Sequence, residues 1–169
     1  YSKLEDLLTD GEVELVDLCV PTPLHVAQTI AALQAGKHVL CEKPLATTTG
    51  DSRWIVDRAT QSAGIFWTAM EYRYMPPAVE FVKQVHDGRI GKLQMLSIRE
   101  HRFPFLPKVA DWNRFSENTG GTMVEKCCHF FDLMRLIAGC NPAQVMASGG
   151  QAVNHLDEIY DGQPSDIWD

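Results

Sequence analysis

Three short apolar runs, at residues 13–20, 38–41 and 65–70, alternate with segments of helical periodicity, and this alternation limits the fold more than any other feature. A strand followed by a helix and a second strand closes into a right-handed crossover with the two strands parallel. The punctuation agrees. Pro21 ends the first run, Thr22 is placed to cap a helix with Pro23 at its first position, and Gly36 suits the left-handed residue just past the helix end. Thr48 or Thr49 opens a second helix whose periodic face is Trp54, Ile55, Val56, Ala59 and Thr60, with Gly64 as its stop. Ahead of the first run, Ser2 can cap a short helix carrying Leu4, Leu7 and Leu8, which Asp10-Gly11 closes.

An amphipathic helix at residues 77–86 ends this rhythm. Residues 93–105 then alternate apolar and polar side chains, as an antiparallel strand with one wet face does, and residues 143–148 read as a further strand. The expected fold is α/β, parallel sheet first and mostly antiparallel sheet after it, with the boundary between residues 75 and 91. Fifteen Lys and Arg against 22 Asp and Glu give a formal charge of −7. That balance disfavours nucleic acid and anionic membrane surfaces and favours a small-molecule partner. No apolar stretch reaches membrane-spanning length, and the first residues lack a signal peptide's apolar centre. The five cysteines, Cys19, Cys41, Cys127, Cys128 and Cys140, form no Cys-x-x-Cys pair. They predict free thiols in a reducing cytoplasm, with Cys19 and Cys41 buried in the strand runs.

Ligands of a parallel sheet bind in the crevice outside the carboxyl ends of its strands. The first crossover brings Val20-Pro21 and Glu42-Lys43 to that edge, and the third strand adds Glu71-Tyr72-Arg73. Lys43, held by Pro44, either points into a site or is an ordinary solvated lysine. Arg73 either approaches ligand oxygens or forms an ion pair. Residues 122–138 read as one helix, capped by Thr122 and stopped by Gly139. On such a helix Glu125, His129, Asp132 and Leu136 fall on one stripe, at about 100° per residue. Three titratable groups there are either a structural hydrogen-bonding set or half of an active site. Lys126, Cys127 and Cys128 beside His129 do not predict a metal site, because successive helical residues point apart. Arg99, His101, Arg102 and Lys108 form either a solvated face or a contact for an acidic sugar, and Trp112 is either core or site wall.

Several motifs share one family's order and spacing. They are Val16-Asp17-Leu18-Cys19-Val20-Pro21-Thr22-Pro23-Leu24-His25, then Ala35-Gly36-Lys37-His38-Val39-Leu40-Cys41-Glu42-Lys43-Pro44, then Gly88-Arg89-Ile90-Gly91-Lys92-Leu93, and Gly120-Gly121-Thr122 on to His129 and Asp132. On these residues the chain resembles the glucose-fructose oxidoreductase and inositol dehydrogenase (Gfo/Idh/MocA) family of nicotinamide-dependent enzymes. The resemblance implies the C-terminal part of a Rossmann parallel sheet followed by the start of an α+β domain with a mostly antiparallel sheet. Residues 1–75 would be a partial dinucleotide-binding domain and residues 76–169 a partial substrate-binding domain. The family's Gly-x-Gly-x-x-Gly pyrophosphate turn does not occur in the sequence, so an incomplete chain is expected at both ends.

The resemblance further implies NAD or NADP as cofactor, a sugar, cyclitol or related polyol as substrate, and a homo-oligomer. Its cofactor side comprises Pro21, Thr22, His25, Glu42, Lys43, Arg73 and Trp112, with a structural role near a helix cap as the other reading of His25. Its catalytic group comprises Lys43, Glu125, His129 and Asp132. His129, with an ordinary pKa near neutrality, is expected as general base. Lys43 is expected to hydrogen-bond the reacting oxygen, and Glu125 and Asp132 to bind neighbouring hydroxyls and orient the other two. Glu125 stands where the family has Asp, Val20 where many relatives have Thr, and Tyr72 where Asn or Gln precedes the arginine. NAD-dependent glycoside cleavage and non-catalytic sensing of a sugar or cofactor are the alternatives on the same fold.

Overall fold

The computed structural model describes residues 1–168. Strands β1 (Leu15–Leu18), β2 (His38–Glu42) and β3 (Phe66–Ala69) form one parallel sheet with β2 in the centre. Leu18 pairs with Cys41 and Cys41 with Thr68, so the three strands finish level and the segments leaving them emerge at one edge. Helices α1 (Leu4–Thr9), α2 (His25–Gln34) and α3 (Thr49–Gln61) precede and connect them. Val16 and Leu18 of β1 and Val39 and Cys41 of β2 pack on Ala32 and Leu33 of α2, with Leu7 and Leu8 of α1 against the cluster. Each fully buried aliphatic side chain of this kind contributes about 1.5–3 kcal/mol.

The helix signals resolve individually. Thr48 caps α3, where its Oγ1 accepts the Asp51 N–H at 3.1 Å. Gly36 takes the left-handed conformation after α2, with φ +74°. Thr22, by contrast, makes no capping bond and lies buried in a 3₁₀ turn ahead of α2. Lys3, not Ser2, occupies the cap position of α1, and it caps through no side-chain bond. On α3 Ile55 is buried, whereas Trp54 and Val56 are about half exposed. Gly64 is not the stop of α3, which ends at Gln61 with Ser62 in the cap position. A Cβ at Gly64 would lie 2.3 Å from the Lys37 carbonyl oxygen, so glycine is required by the close approach of two backbones. Cys41 is buried, but Cys19 is exposed because β1 has already ended.

The remainder comprises α4 (Pro76–His86), α5 (Ser116–Thr119), α6 (Thr122–Glu125), α7 (Cys128–Ala138) and an antiparallel hairpin of β4 (Ile159–Tyr160) and β5 (Gln163–Pro164). The helix expected over residues 122–138 is therefore two, parted at Lys126-Cys127. Residues 93–105 and 143–148 are extended or irregular, not strands. Alternation supplies only the face of a strand, and neither segment finds a ladder partner among the described residues. The hairpin is tied to the loop before α5 by Arg114, which is 1% exposed. Its guanidinium meets Glu158 at 2.8 Å and donates to the Phe105 carbonyl at 2.6 Å. Among the described residues no helix is long and apolar enough to cross a membrane.

Candidate active site

The edge where the three strands end opens into two clefts that share a wall. Lys43 leaves β2, with its backbone N–H on the Glu42 carboxylate at 3.1 Å. Its ammonium crosses to α6, donating to the Glu125 carbonyl at 2.9 Å and to Glu125 Oε1 at 3.3 Å. Lys108 reaches the same oxygen at 3.4 Å. Glu125 Oε2 is buried and has no partner among the described residues, so it is an acceptor waiting for a donor. Lys43, Lys108 and Glu125 line both clefts. The wider cleft, about 740 Å³, runs along Val20, Pro21, Thr22, Glu42 and Trp112. The narrower one, about 330 Å³, is lined by Glu71, Arg102, Lys126, His129 and Ile167 among others.

His129 is 2% exposed, and its ring stacks on Tyr72 at 4.2 Å with 11° between the planes. Glu71 Oε1 lies 3.4 Å from Nε2, whereas Nδ1 is buried without a partner among the described residues. Burial first, and then the Lys43 and Lys126 ammonium groups, push the imidazole down to about 4, although Glu125 and Asp132 oppose them. At neutral pH the ring is therefore uncharged, and it titrates well below the near-neutral range expected from sequence. Lys126 is itself fixed by donating to the Tyr72 hydroxyl and by Glu100 at 3.2 Å. The Cys128 thiol is raised to about 11 by burial and lies 3.7 Å from the Glu125 carbonyl oxygen.

Three expected site residues have other partners. Asp132 turns away from the clefts and takes the Arg73 guanidinium in a bidentate pair, with both bonds 2.5 Å long. The 3₁₀ turn Glu71–Tyr74 packs against α7, which sets Arg73 opposite Asp132 and commits two of the guanidinium nitrogens and both carboxylate oxygens to the pair. His25 is 1% exposed and lies with Nδ1 2.9 Å from the Pro44 carbonyl and Nε2 2.9 Å from the Val20 carbonyl. Both ring nitrogens are thus occupied by backbone, and His25 ties the ends of β1 and β2 together instead of facing the cofactor side. Pro21, Thr22, Glu42, Lys43 and Trp112 do line the wider cleft, and Lys43, Glu125 and His129 the narrower.

Other site residues were missed. Glu71 sits in the motif that nominates Arg73, and Ile167 in a C-terminal tail where no motif marks a site. That tail folds back, with Asp166 accepting the Ser116 N–H at 2.6 Å and the Trp168 carbonyl accepting the Thr122 hydroxyl at 2.8 Å. Two adjacent apolar residues, Ile167-Trp168, in an otherwise acidic stretch were the available signal. Of the basic cluster, Arg102 and Lys108 line the narrower cleft, and Arg99 and His101 do not.

Comparison with known proteins matches two successive parts of one family. Its NAD-binding Rossmann fold matches residues 1–70, and its C-terminal alpha/beta domain matches residues 82–163. The chain belongs to the Gfo/Idh/MocA oxidoreductase family. The 1,5-anhydro-D-fructose reductase of Ensifer adhaerens is 31% identical over 95% of this chain and 48% of its own length. The myo-inositol 2-dehydrogenase of Thermotoga maritima is 31% identical over 91% of this chain and 45% of its own. The crystal structure of a probable dehydrogenase from Thermotoga maritima superposes with a TM-score of 0.76 at 29% identity, covering 91% of this chain and 45% of that one. Levoglucosan dehydrogenase in complex with NADH and levoglucosan gives a TM-score of 0.73 at 26% identity, over 100% of this chain and 46% of that one. The Gfo/Idh/MocA chain described here spans between a third and a half of the length of the first curated relatives it matches.

Proposed function

We propose that the protein transfers hydride between NAD or NADP and a secondary alcohol of a sugar, cyclitol or related polyol. The observation that carries this reading is the common wall: Lys43 and Glu125 face the wider and the narrower cleft at once. A group that binds the reacting oxygen has to stand between cofactor and substrate, and the position of Lys43 on the wall of both clefts supports that role. Relatives named as anhydrofructose reductase, levoglucosan dehydrogenase and inositol dehydrogenase support the same substrate class.

The wider cleft fits the nicotinamide end of a dinucleotide. Pro21 and Trp112 offer apolar surface, and the Glu42 carboxylate and Lys108 ammonium border it. When bound there, the nicotinamide supplies the hydride acceptor or donor. Lys43 donates a hydrogen bond to the reacting oxygen and stabilises negative charge developing on it. The Glu125 carboxylate borders the cleft, and a small turn of it brings the buried, unpartnered Oε2 to a neighbouring substrate hydroxyl, relieving an unpaired acceptor that otherwise costs about 1–3 kcal/mol. The hydroxyl proton goes to Nε2 of His129, where Glu71 Oε1, 3.4 Å away, stabilises the imidazolium and leads to solvent through its own half-exposed side chain. A ring lowered to about 4 gives the proton up readily to Glu71 and solvent and is a correspondingly weak acceptor, so the transfer depends on Lys43 stabilising the alkoxide as it forms.

Residues 1–75 form the dinucleotide-binding part and residues 76–169 the substrate-binding part in this reading, and the start of α4 at Pro76 after the last parallel strand supports it. Five free cysteines fit a reducing compartment such as the cytoplasm. The test is nicotinamide reduction by the protein at its full natural length, over sugars and cyclitols with both cofactors. Lys43→Met is expected to lower kcat by about 10²–10³-fold, the cost of losing an oxyanion donor. Turnover unchanged in Lys43→Met refutes the assignment. Sugar released without net reduction points instead to glycoside cleavage.

A further inference from the structure

We infer that the substrate carries a carboxylate and that Arg102 recognises it, so that the narrower cleft selects a sugar acid over the neutral sugar. The inference rests on the proposed function only in taking that cleft as the substrate side. Its first support is charge. Four cations, Lys43, Arg102, Lys108 and Lys126, line the narrower cleft against the carboxylates of Glu71 and Glu125, and with Glu100, which pairs with Lys126 at 3.2 Å, the excess is one positive charge in a chain of net charge −7. A neutral polyol gains nothing from that excess, whereas an anion is drawn to it against the repulsion of the chain as a whole.

The second support is that three of those cations are already engaged and one is not. Lys43 and Lys108 share Glu125, and Lys126 is held by Glu100 and the Tyr72 hydroxyl. Among the described residues no carboxylate pairs with Arg102. Its guanidinium instead lies over Phe105 at 4.8 Å and Phe103 at 5.4 Å. Aromatic stacking fixes the guanidinium while leaving its planar fork of N–H donors open, the arrangement that takes a carboxylate through two parallel bonds. Arg102 is exposed and stands between the narrower cleft and a neighbouring groove lined by Glu100 and His101, but it does not line the wider cleft, so its charge is not placed for the nicotinamide side. At about 330 Å³ the narrower cleft is near the lower end of ligand-site sizes, about 300–1,000 Å³, as suits one sugar ring.

The experiment uses the protein at its full natural length with uronic and aldonic acids, each paired with its uncharged amide, with the parent neutral sugar and with the sugar phosphate. Turnover by nicotinamide absorbance and binding by calorimetry are both followed. The acid is expected to exceed its amide by about 10- to 100-fold in kcat/KM, the scale of a charge-assisted hydrogen-bonded pair. Arg102→Gln is expected to abolish that ratio, and Arg102→Lys to keep part of it. Equal use of acid and amide overturns the inference, as does a ratio that survives Arg102→Gln or a sugar phosphate that outperforms the acid. The acid–amide comparison needs no variant, so misfolding of Arg102→Gln cannot rescue a wrong answer. Arg102-dependent binding of a sugar acid without any redox turnover upholds the inference and refutes the hydride-transfer reading. Neither binding nor turnover of any sugar acid overturns it.

Discussion

His129 makes stability depend on pH in a way that can be isolated. Its ring titrates at about 4 in the folded chain against 6.5 for an unperturbed histidine. At about 1.4 kcal/mol per pH unit, a gap of this size is worth about 3 kcal/mol. Above pH 6.5 both states hold a neutral ring and the full stability is present. As pH falls below that point the unfolded chain takes up a proton that the folded chain refuses, and stability drains away until the folded ring also protonates near pH 4. In His129→Gln this contribution is absent, and the lost stacking on Tyr72 lowers stability by the same amount at every pH. Urea unfolding of both proteins, measured above pH 6.5 and on approach to pH 4, therefore gives curves that converge by about 3 kcal/mol as pH falls. Parallel curves would refute the reasoning. So would an NMR titration placing the His129 midpoint near 6.5.

Two further changes test packing and placement. Gly64→Ala drives a methyl group to 2.3 Å from the Lys37 carbonyl oxygen and is expected to cost about 1–3 kcal/mol, read as a fall in Tm; an unchanged Tm rejects the close approach. Asp132→Asn breaks the pair with Arg73, whose side chain is 37% exposed, and is expected to cost about 1–2 kcal/mol, less than the about 3–5 of a fully buried pair. Because Asp132 faces Arg73 and not the cleft, KM for the sugar should stay the same in this variant, and a large rise in KM restores the hydroxyl-binding role.

The parallel sheet was legible because its signals are local. Apolar runs of strand length, a cap at Thr48 and a left-handed glycine at position 36 each act within a few residues. The failures lie where a neighbour far along the chain decides. Residues 93–105 have the alternation of a strand but not the partner that makes one. Residues 122–138 have the periodicity of one helix, yet the chain departs from it at Lys126, whose ammonium is held between the Tyr72 hydroxyl and Glu100. That break also spoils the stripe argument. Once α6 and α7 are separate, Glu125 and Asp132 need not share a face, and they do not: one meets Lys43 and the other Arg73. Periodicity could nominate these carboxylates but not assign their partners.

The wall between the clefts explains why the latter part of the chain matters to chemistry at the sheet edge. Glu125 carries one methylene more than the aspartate of the family pattern, and its Oε1 reaches both Lys43 on the strand side and Lys108 on the loop before α5. Two ammonium groups on one oxygen repel each other, so the wall holds only if that loop is anchored independently. Arg114 and Asn113 provide the anchor. Asn113 accepts the Lys108 N–H at 3.0 Å and donates to the Leu106 carbonyl at 3.0 Å, while Arg114 binds the Phe105 carbonyl and Glu158 of the hairpin. Breaking the Arg114–Glu158 pair would leave a buried guanidinium short of its counter-charge and free the loop that carries Lys108. Lys43 would then keep Glu125 to itself and be held closer to the carboxylate, with less of its hydrogen-bonding capacity left for a substrate oxygen. The hairpin, remote from the sheet in sequence, thus helps to decide how available the lysine is.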